Sequence, residues 1–273
     1  MEVWVLGGDA RNYWAAQQLR AAGHTVHTCG VPGLADEALP ERFGALLLPF
    51  PAFAGDCLRG EKQVAVLPLL EHMDAGTRIC GGLLSAWAGA FRTRGASVTD
   101  LYDTEPLTTE NAAATAEGAV ALALTRSAIA LQGARCLVIG FGRIGKLLAL
   151  RLHALGATVT AAARRPGDRA MAEAMGLESD VTGLYHHGLY VYDFIFKTVP
   201  APVLSRLQLS RLKKDCLLLE LASAPGGFDP ACCGELGLTV IAAPGLPGTY
   251  APKTAGLRYA EAALRHLEME GIS

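Results

Sequence analysis

The sequence lacks an excess of charge of either sign, with 24 basic and 26 acidic side chains and a formal net charge of −2. Surfaces that bind nucleic acid are strongly basic, so this balance argues against such a partner. No apolar run approaches the ~20 residues that a membrane-spanning helix requires. The opening MEVWVLGG is typical of a strand and not of a signal peptide. We therefore expect a soluble, cytoplasmic protein with no membrane segment, whose ligands are small molecules.

Cysteine patterns that bind metals are also missing. The seven cysteines form no CxxC pair and no Cys/His spacing suited to a metal, and the adjacent Cys232 and Cys233 could not readily form a disulfide with each other. Because their number is odd and several lie in apolar runs, we expect free thiols in a reducing compartment. We predict no metal site.

The most informative stretch covers residues 136–156, CLVIGFGRIGKLLALRLHALG. An apolar run reaches three spaced glycines, and apolar residues then recur at helical spacing, which predicts strand, turn and helix. In such a turn the first glycine permits the bend, the second lets the backbone approach a pyrophosphate, and the third lets the helix pack on the strand. A second predicted strand, residues 158–163, completes a βαβ unit. The predicted dinucleotide-binding residues here are Gly140, Gly142, Arg143, Ile144 and Gly145; a purely structural turn is the alternative.

The end of the second strand selects the cofactor. NAD sites place Asp or Glu there to bind the ribose 2′-hydroxyl, whereas arginine suits the 2′-phosphate of NADP. This chain has no acidic residue there; it has Arg164 and Arg165 instead. Guanidinium groups bind phosphate through paired hydrogen bonds. We predict NADP, with two solvated surface arginines as the alternative. Two later strand ends would border the nicotinamide through Thr198, Val199, Pro200, Leu221 and Ala222.

The N-terminal segment repeats this design. Residues 5–26 align without a gap on residues 138–159, at a constant offset of 133 residues that pairs Gly7 with Gly140. Asp9 stands where the second copy has Gly142, and a carboxylate there would repel a dinucleotide. We therefore predict the same scaffold without the cofactor site.

Asp9 and Asn12 stand in this first turn where the second copy has Gly142 and Gly145. Arg11 would lie at the carboxyl end of the first strand, where ligands of such folds bind, and could hold a substrate carboxylate beside Asp9. The alternative is that Asp9 caps the helix and Arg11 lies on the surface.

Three further residues are candidates for the catalytic site, each with a structural alternative. Ser85 would cap a helix and line the pocket. Glu117 could act as a catalytic or orienting carboxylate, or as a first-turn acid that complements the helix dipole. Lys253, at the head of the last helix, would add a cation beside the cleft or be solvated.

The chain is long enough for two domains, and 51% of its residues are hydrophobic. We predict an α/β fold with two Rossmann-like, doubly wound parallel-sheet domains joined by a long helix. The predicted segments are a substrate domain over residues 1–110, the interdomain helix over 111–131, the NADP-binding domain over 132–250, and a C-terminal helix over 251–273 that packs back on the first domain.

Strings along nearly the whole chain resemble the family of dipicolinate synthase A subunits from spore-forming bacteria. They are GGDAR (7–11), TAEG (115–118), GFGRIG (140–145), LAS with PGG (221–227), PGLPG (244–248) and APKTAG (251–256). GFGRIG is shared by many dehydrogenases, whereas GGDAR, PGLPG and APKTAG are far more specific. Two positions depart from the family pattern, with Lys197 in place of Asn and Ala224 in place of a basic residue.

The resemblance implies a pair of Rossmann-like domains and an NADP-dependent oxidation of dihydrodipicolinate, from the lysine branch, to dipicolinate in spore formation. It also implies that the partner is a flavoprotein-like B subunit, and we expect a homo-oligomer as well. Arg11 and Lys253 would then hold the two carboxylates of a small dicarboxylate substrate, while Asp9 or Glu117 orients them or takes the proton. The alternatives are an NADP-dependent reductase of a 2-oxo or 2-hydroxy acid and a non-catalytic, cofactor-binding partner protein.

Overall fold

The computed structural model describes residues 1–222 and 226–269 and divides into two compact units. Met1–Asn111 and the C-terminal segment that begins at Ala251 form the first unit, and Ala112–Tyr250 forms the second. Ala224 lies outside the described residues. No helix in the described ranges has the length and apolar character needed to cross a membrane.

The first unit is built on a five-stranded parallel sheet in the order β2-β1-β3-β7-β8. The same unit also contains a three-stranded antiparallel sheet in the order β4-β5-β6. The strands are β1 (Glu2–Leu6), β2 (Thr25–Cys29), β3 (Ala45–Leu47), β4 (Phe53–Ala54), β5 (Cys57–Leu58), β6 (Val64–Ala65), β7 (Arg78–Gly81) and β8 (Ser97–Asp100).

The second unit contains a six-stranded parallel sheet in the order β11-β10-β9-β12-β13-β14. This is the strand order of a dinucleotide-binding Rossmann sheet, whose direction of winding reverses between its first and fourth strands, here β9 and β12. The strands are β9 (Arg135–Ile139), β10 (Thr158–Ala163), β11 (Glu178–Val181), β12 (Phe194–Lys197), β13 (Leu217–Glu220) and β14 (Thr239–Ala242).

Helices cover both faces of each sheet, because the strands are apolar on both sides. Alternate residues of β1 enter opposite cores, Val3 and Val5 one and Trp4 and Leu6 the other. The helices are α1 (Ala10–Ala21), α2 (Val66–Leu69), α3 (Ser85–Thr93), α4 (Leu107–Arg126), α5 (Arg143–Ala154), α6 (Pro166–Ala174), α7 (Arg206–Leu209), α8 (Pro230–Glu235), α9 (Leu246–Tyr250) and α10 (Pro252–Met269). The predicted fold class, two Rossmann-like α/β domains, is confirmed.

The long helix predicted over residues 111–131 runs instead from Leu107 to Arg126, about one turn earlier at each end. Pro106 lies just before the first helical residue, where its missing amide donor costs nothing. Beyond the last turn, the Ser127 hydroxyl accepts from the amide of Ile129 at 3.1 Å, and this local turn replaces a further helical hydrogen bond.

The repeat predicted from sequence is visible element by element. Helices α1 and α5 are offset by 133 residues at both ends, as are strands β1 and β9. Strands β2 and β10 begin at the same offset. The shared pattern therefore specifies the bounds of the first strand and of the helix, and the start of the second strand, in both units.

Helix α10 packs on α1 within the first unit, and Gly256 makes this approach possible. A side chain at Gly256 would overlap the carbonyl oxygen of Arg11 and the Cβ of Trp14. One turn further, the buried Tyr259 hydroxyl donates to the carbonyl of Leu48 at 2.6 Å. The C-terminal helix is thereby attached to the end of β3.

Replacing Gly256 with alanine tests this contact. Alanine is the better helix former by about 1 kcal/mol, yet we expect Gly256→Ala to lower the free energy of unfolding by about 1–3 kcal/mol, because α10 must move away from α1. Gly89→Ala in α3 is the matched control, since nothing lies within 4 Å of its added carbon. Urea unfolding should show opposite signs for the two variants; a stabilised Gly256→Ala would contradict the packing.

Candidate functional site

The glycine turn after β9 depends on close backbone contacts. Gly140 has φ of +101°, a conformation that favours glycine, and a side chain there would overlap the Thr198 hydroxyl. A side chain at Gly145 would overlap the carbonyl oxygen of Gly140. These two glycines therefore allow α5 to begin directly against the turn, as the motif predicts.

Gly142 differs from these two glycines because, apart from its chain neighbours, no atom of the described residues lies within 4 Å of the position that a Cβ would take. Gly142 is the N-cap of α5 and, having no side chain, accepts no capping hydrogen bond from the first turn of the helix. Such a terminus presents amide donors and a partial positive charge to an anion. The Gly142 position is thus an open cradle of the kind that a pyrophosphate occupies.

The opposite wall of this turn comes from the end of β12. The backbone amide and the hydroxyl of Thr198 donate to the carbonyl of Ile139 at 2.9 and 3.0 Å. Val199 lies close behind Gly140, whereas Pro200 is exposed. The amide of the buried Leu221 donates to the carbonyl of Lys197. Thr198 and Leu221, and with them Ala222, therefore follow strand ends at the carboxyl edge of the sheet.

Arg164 and Arg165 follow β10 directly, and both are exposed. Neither guanidinium group makes an ion pair or hydrogen bond with any described residue. Arg169 holds the strand end by donating to the carbonyls of Ala163 and Arg164 at 3.1 and 2.9 Å. The end of β10 thus offers two unengaged cations and no carboxylate.

In the first unit, the corresponding turn carries its own anion. The Asp9 carboxylate accepts from the amide and the side chain of Arg11, with distances of 2.9 Å to N and Nε and 2.7 Å to Nη2. Burial alone would raise the pKa of Asp9, but the hydrogen bonds and charge of Arg11 more than offset this and lower it. Because the Asp9 carboxylate occupies the amino terminus of α1, this terminus is not open to a phosphate.

The structure confirms one part of the structural alternative for this turn and contradicts the other. Asp9 is the N-cap of α1, as the structural alternative predicted. Arg11 is not a surface residue, because it is only 7% exposed. Its Nη1 makes no hydrogen bond within the described residues and remains available to a ligand.

Asn12 stands where the second unit has a glycine, and Gly8 beside it provides the space for its side chain. Asn12 occupies the position of Gly145, and its side chain fills the space that a side chain at Gly8 would need. Gly8 has φ of +95°. The Asn12 side-chain nitrogen is buried and has no hydrogen-bond partner among the residues that the structure describes. Sequence reasoning missed this swap, although the Gly7-Gly8 pair was its signal.

Lys253 lies at the start of α10, exposed, with its Nζ 4.9 Å from the ring centroid of Trp14. Gly256, one turn later, touches the backbone of Arg11. The starts of α1 and α10, with the cationic side chains of Arg11 and Lys253, thus lie at one end of the first unit. The structure brings Lys253, Arg11 and Asp9 to the same edge.

Ser85 and Glu117 have other surroundings than predicted. Ser85 is the exposed first residue of α3, and the N-cap is Leu84, whose amide binds the Asp100 carboxylate at 2.6 Å. The capping role predicted for Ser85 is therefore wrong. Glu117 lies in the middle of α4, in the second unit, and pairs with Arg151 at 3.2 Å. It is not a first-turn acid; Glu110 holds that place.

Two of the resemblance strings are in contact within the second unit. A side chain at Gly118, in TAEG, would come within 2.9 Å of Leu246 in PGLPG. In the first unit, Gly256 of APKTAG meets Arg11 of GGDAR in the same way. The strings are therefore contact surfaces between helices as well as sequence markers.

The fold of the chain is of the D-2-hydroxyacid dehydrogenase type. Residues 108–222 match the family model of the D-isomer specific 2-hydroxyacid dehydrogenase, NAD binding domain. The structure of D-lactate dehydrogenase from Escherichia coli shares the fold with a TM-score of 0.71 at 14% identity, covering 100% of this chain and 98% of that one. The chain is thus a homologue of oxidoreductases that use a nicotinamide cofactor.

Within this class the chain is similar to the A subunits of dipicolinate synthase. The one from Bacillus subtilis (strain 168) is 28% identical, over 94% of this chain and 92% of its own length. The structure of the one from Bacillus halodurans has a TM-score of 0.87 at 24% identity, covering 97% of each chain. The resemblance predicted from the motifs is confirmed.

Gly142→Ala tests the cradle. The added carbon has no neighbour among the described residues apart from its chain neighbours, and alanine is a poorer N-cap than glycine, so we expect the melting temperature to fall by only a few degrees. Affinity for a nicotinamide dinucleotide should fall at least about tenfold, because the methyl group occupies the space of the phosphate. Gly44→Ala, at an exposed position outside the helices and equally free of neighbours among the described residues, should change neither quantity. Calorimetric titration measures the affinity; unchanged binding by Gly142→Ala would contradict the assignment.

Proposed function

We propose that this chain is an NADP-dependent oxidoreductase that converts dihydrodipicolinate to dipicolinate in spore formation, together with a flavoprotein-like B subunit. The observation that carries the proposal is the similarity to the A subunits of dipicolinate synthase, which extends over both units. Since those relatives are named as one lettered component of the synthase, their name supports a partner chain.

The preference for NADP is argued from the end of β10. Arg164 and Arg165 are exposed and unengaged there, at the position where an NAD site has its acid. A guanidinium group can bind the 2′-phosphate through two parallel hydrogen bonds. Since no carboxylate is present to receive the 2′-hydroxyl of NAD, the charge favours the phosphorylated cofactor.

Arg164→Asp should reverse this preference. We expect affinity for NADPH to fall at least about tenfold, through loss of a charge-assisted contact and gain of repulsion, while affinity for NADH stays the same or rises. Arg211→Asp, the same charge change at an exposed site of the same unit, should leave both affinities unchanged. Fluorescence titration of both cofactors is the measurement; equal losses for both would argue against a 2′-phosphate contact.

The substrate is a small dicarboxylate, and we place its anionic groups at the charged edge of the first unit. Arg11 has an unengaged Nη1, and Lys253 adds a second cation beside Trp14. Asp9 orients the guanidinium group by accepting three hydrogen bonds from its Nε and Nη2. Because its pKa is lowered, Asp9 is a weak base at neutral pH, so orientation suits it better than proton transfer. Ser85 and Glu117 stay predictions for lining or orienting roles.

The proposed oxidation requires little chemistry from the side chains. The cofactor supplies the hydride acceptor, and aromatisation of the ring makes the oxidation favourable. The protein contributes position, by holding the carboxylates of the substrate in one orientation.

Replacing Arg11 tests the substrate site. We expect Arg11→Ala to lower kcat/KM for dihydrodipicolinate by about 10- to 100-fold, since a charge-assisted hydrogen bond is lost, while NADPH affinity stays unchanged. Arg20→Ala, exposed on the same helix, serves as control. The assay follows absorbance of the aromatic product, with and without the B subunit; wild-type turnover by a folded Arg11→Ala would refute the role.

The same assay separates the alternatives. The match of residues 108–222 to a 2-hydroxyacid dehydrogenase domain favours, as second candidate, an NADP-dependent reductase of a 2-oxo or 2-hydroxy acid. Turnover of such acids without any turnover of dihydrodipicolinate would select it. Cofactor binding without turnover of either substrate, even with the partner present, would select a non-catalytic role.

A further inference from the structure

A buried ion pair joins the carboxyl ends of two neighbouring strands in the second unit. Lys197 ends β12 and Glu220 ends β13, and the two residues are register partners in the sheet. The Lys197 Nζ lies 3.2 Å from Oε2 and 3.4 Å from Oε1 of Glu220. The lysine side chain is 0% exposed and the glutamate side chain 10% exposed. Neither charge is accessible to act as a surface group.

Such a pair is an expensive way to stabilise a sheet. Removing two charges from water costs several kcal/mol each, and apolar residues of similar volume are often equally stable or better. Burial lowers the pKa of Lys197, against the opposing influence of Glu220. The rest of both strands is apolar, FIF and LLL. The pair therefore calls for an explanation other than core packing.

The Glu220 carboxylate holds the segment that follows β13 at both of its ends. It accepts from the amide of Ala222 at 3.2 Å, and from those of Gly227 and Phe228 at 2.7 and 3.1 Å. Residues 223–225, between these anchors, lie outside the described range. Gly227 allows the approach, because a side chain there would overlap Nζ of Lys197. One carboxylate thus sets where the chain leaves the strand and where it returns.

The Lys197 ammonium group holds the segment that follows β12. Its Nζ donates to the carbonyl of Val199 in addition to Glu220. Thr198 lies between Lys197 and Val199, and its hydroxyl donates to the carbonyl of Ile139 at the end of β9, where the strand order reverses. In a sheet of this order a dinucleotide lies across that point, with one nucleotide half on each side. The β10 side carries the arginines, so the β12–β13 side receives the nicotinamide half.

We propose that Lys197 and Glu220 are positioning residues for the nicotinamide half of the cofactor, acting without touching it. Their ion pair fixes Thr198 and Val199 on one strand end, and Ala222, Gly227 and Phe228 on the next. The inference rests on the cofactor use proposed above and adds the residues that shape this half of the site.

Comparing two ligands separates positioning from general stability. NADPH contains the nicotinamide ring, whereas 2′-phospho-ADP-ribose keeps the adenosine half, the pyrophosphate and the second ribose but lacks that ring. We expect Lys197→Met to weaken NADPH binding at least about tenfold and to leave 2′-phospho-ADP-ribose binding within about twofold. Calorimetric titration of the full chain with each ligand measures both. Glu220→Gln, a milder change that keeps an acceptor for the backbone amides, should give the same selective loss to a smaller degree.

The ion pair Arg135–Glu178, 3.2 Å long at the amino ends of β9 and β11 in the same sheet, provides the control. Arg135→Met should change neither affinity. Equal weakening of both ligands by Lys197→Met and Glu220→Gln, or unchanged NADPH binding by the folded variants, would overturn the inference. If the wild-type chain failed to bind NADPH at all, the proposed cofactor use would be overturned as well. That outcome differs from a failure of the positioning role alone, in which the wild-type chain still binds NADPH.

Discussion

The close approach of α5 to the turn before it, made where Gly145 meets the carbonyl of Gly140, is the contact on which the second unit depends. It brings the first amides of the helix to the carboxyl edge of the sheet. The neighbouring Gly142 leaves the space in front of them open. A helix terminus that was capped by a side chain, or held further from the strand, could not serve an anion in this way.

The first unit uses the same backbone frame for different chemistry. Its helix terminus is already occupied by the Asp9 carboxylate, which accepts from the amide of Arg11. The steric exchange between Gly8 and Asn12 keeps the helix in register although the glycine has moved. One frame can therefore present an open anion site in one copy and a charged pair in the other, because the strand and helix lengths do not depend on the turn residues.

Helix packing supplies the rest of the charged edge. Gly256 allows α10 to lie against α1, so Lys253 comes beside Trp14 although the two are far apart in sequence. In the second unit, Gly118 plays the same part for α9. Small residues at helix contacts thus decide which side chains come together without contributing chemistry of their own.

The sequence alone determined the two βαβ repeats, the glycine turn and the absence of an acid after β10, because these depend on local periodicity and on residue types within one turn. It could not determine the partners of side chains distant in sequence. Glu117 pairs with Arg151, Asp100 takes the role expected of Ser85, and Lys197 meets Glu220. Each of these contacts is made by neighbouring strands or packed elements, and only the tertiary structure brings such residues within hydrogen-bonding distance. A charged residue at the end of an apolar strand is predictable, whereas its partner is decided by strand order.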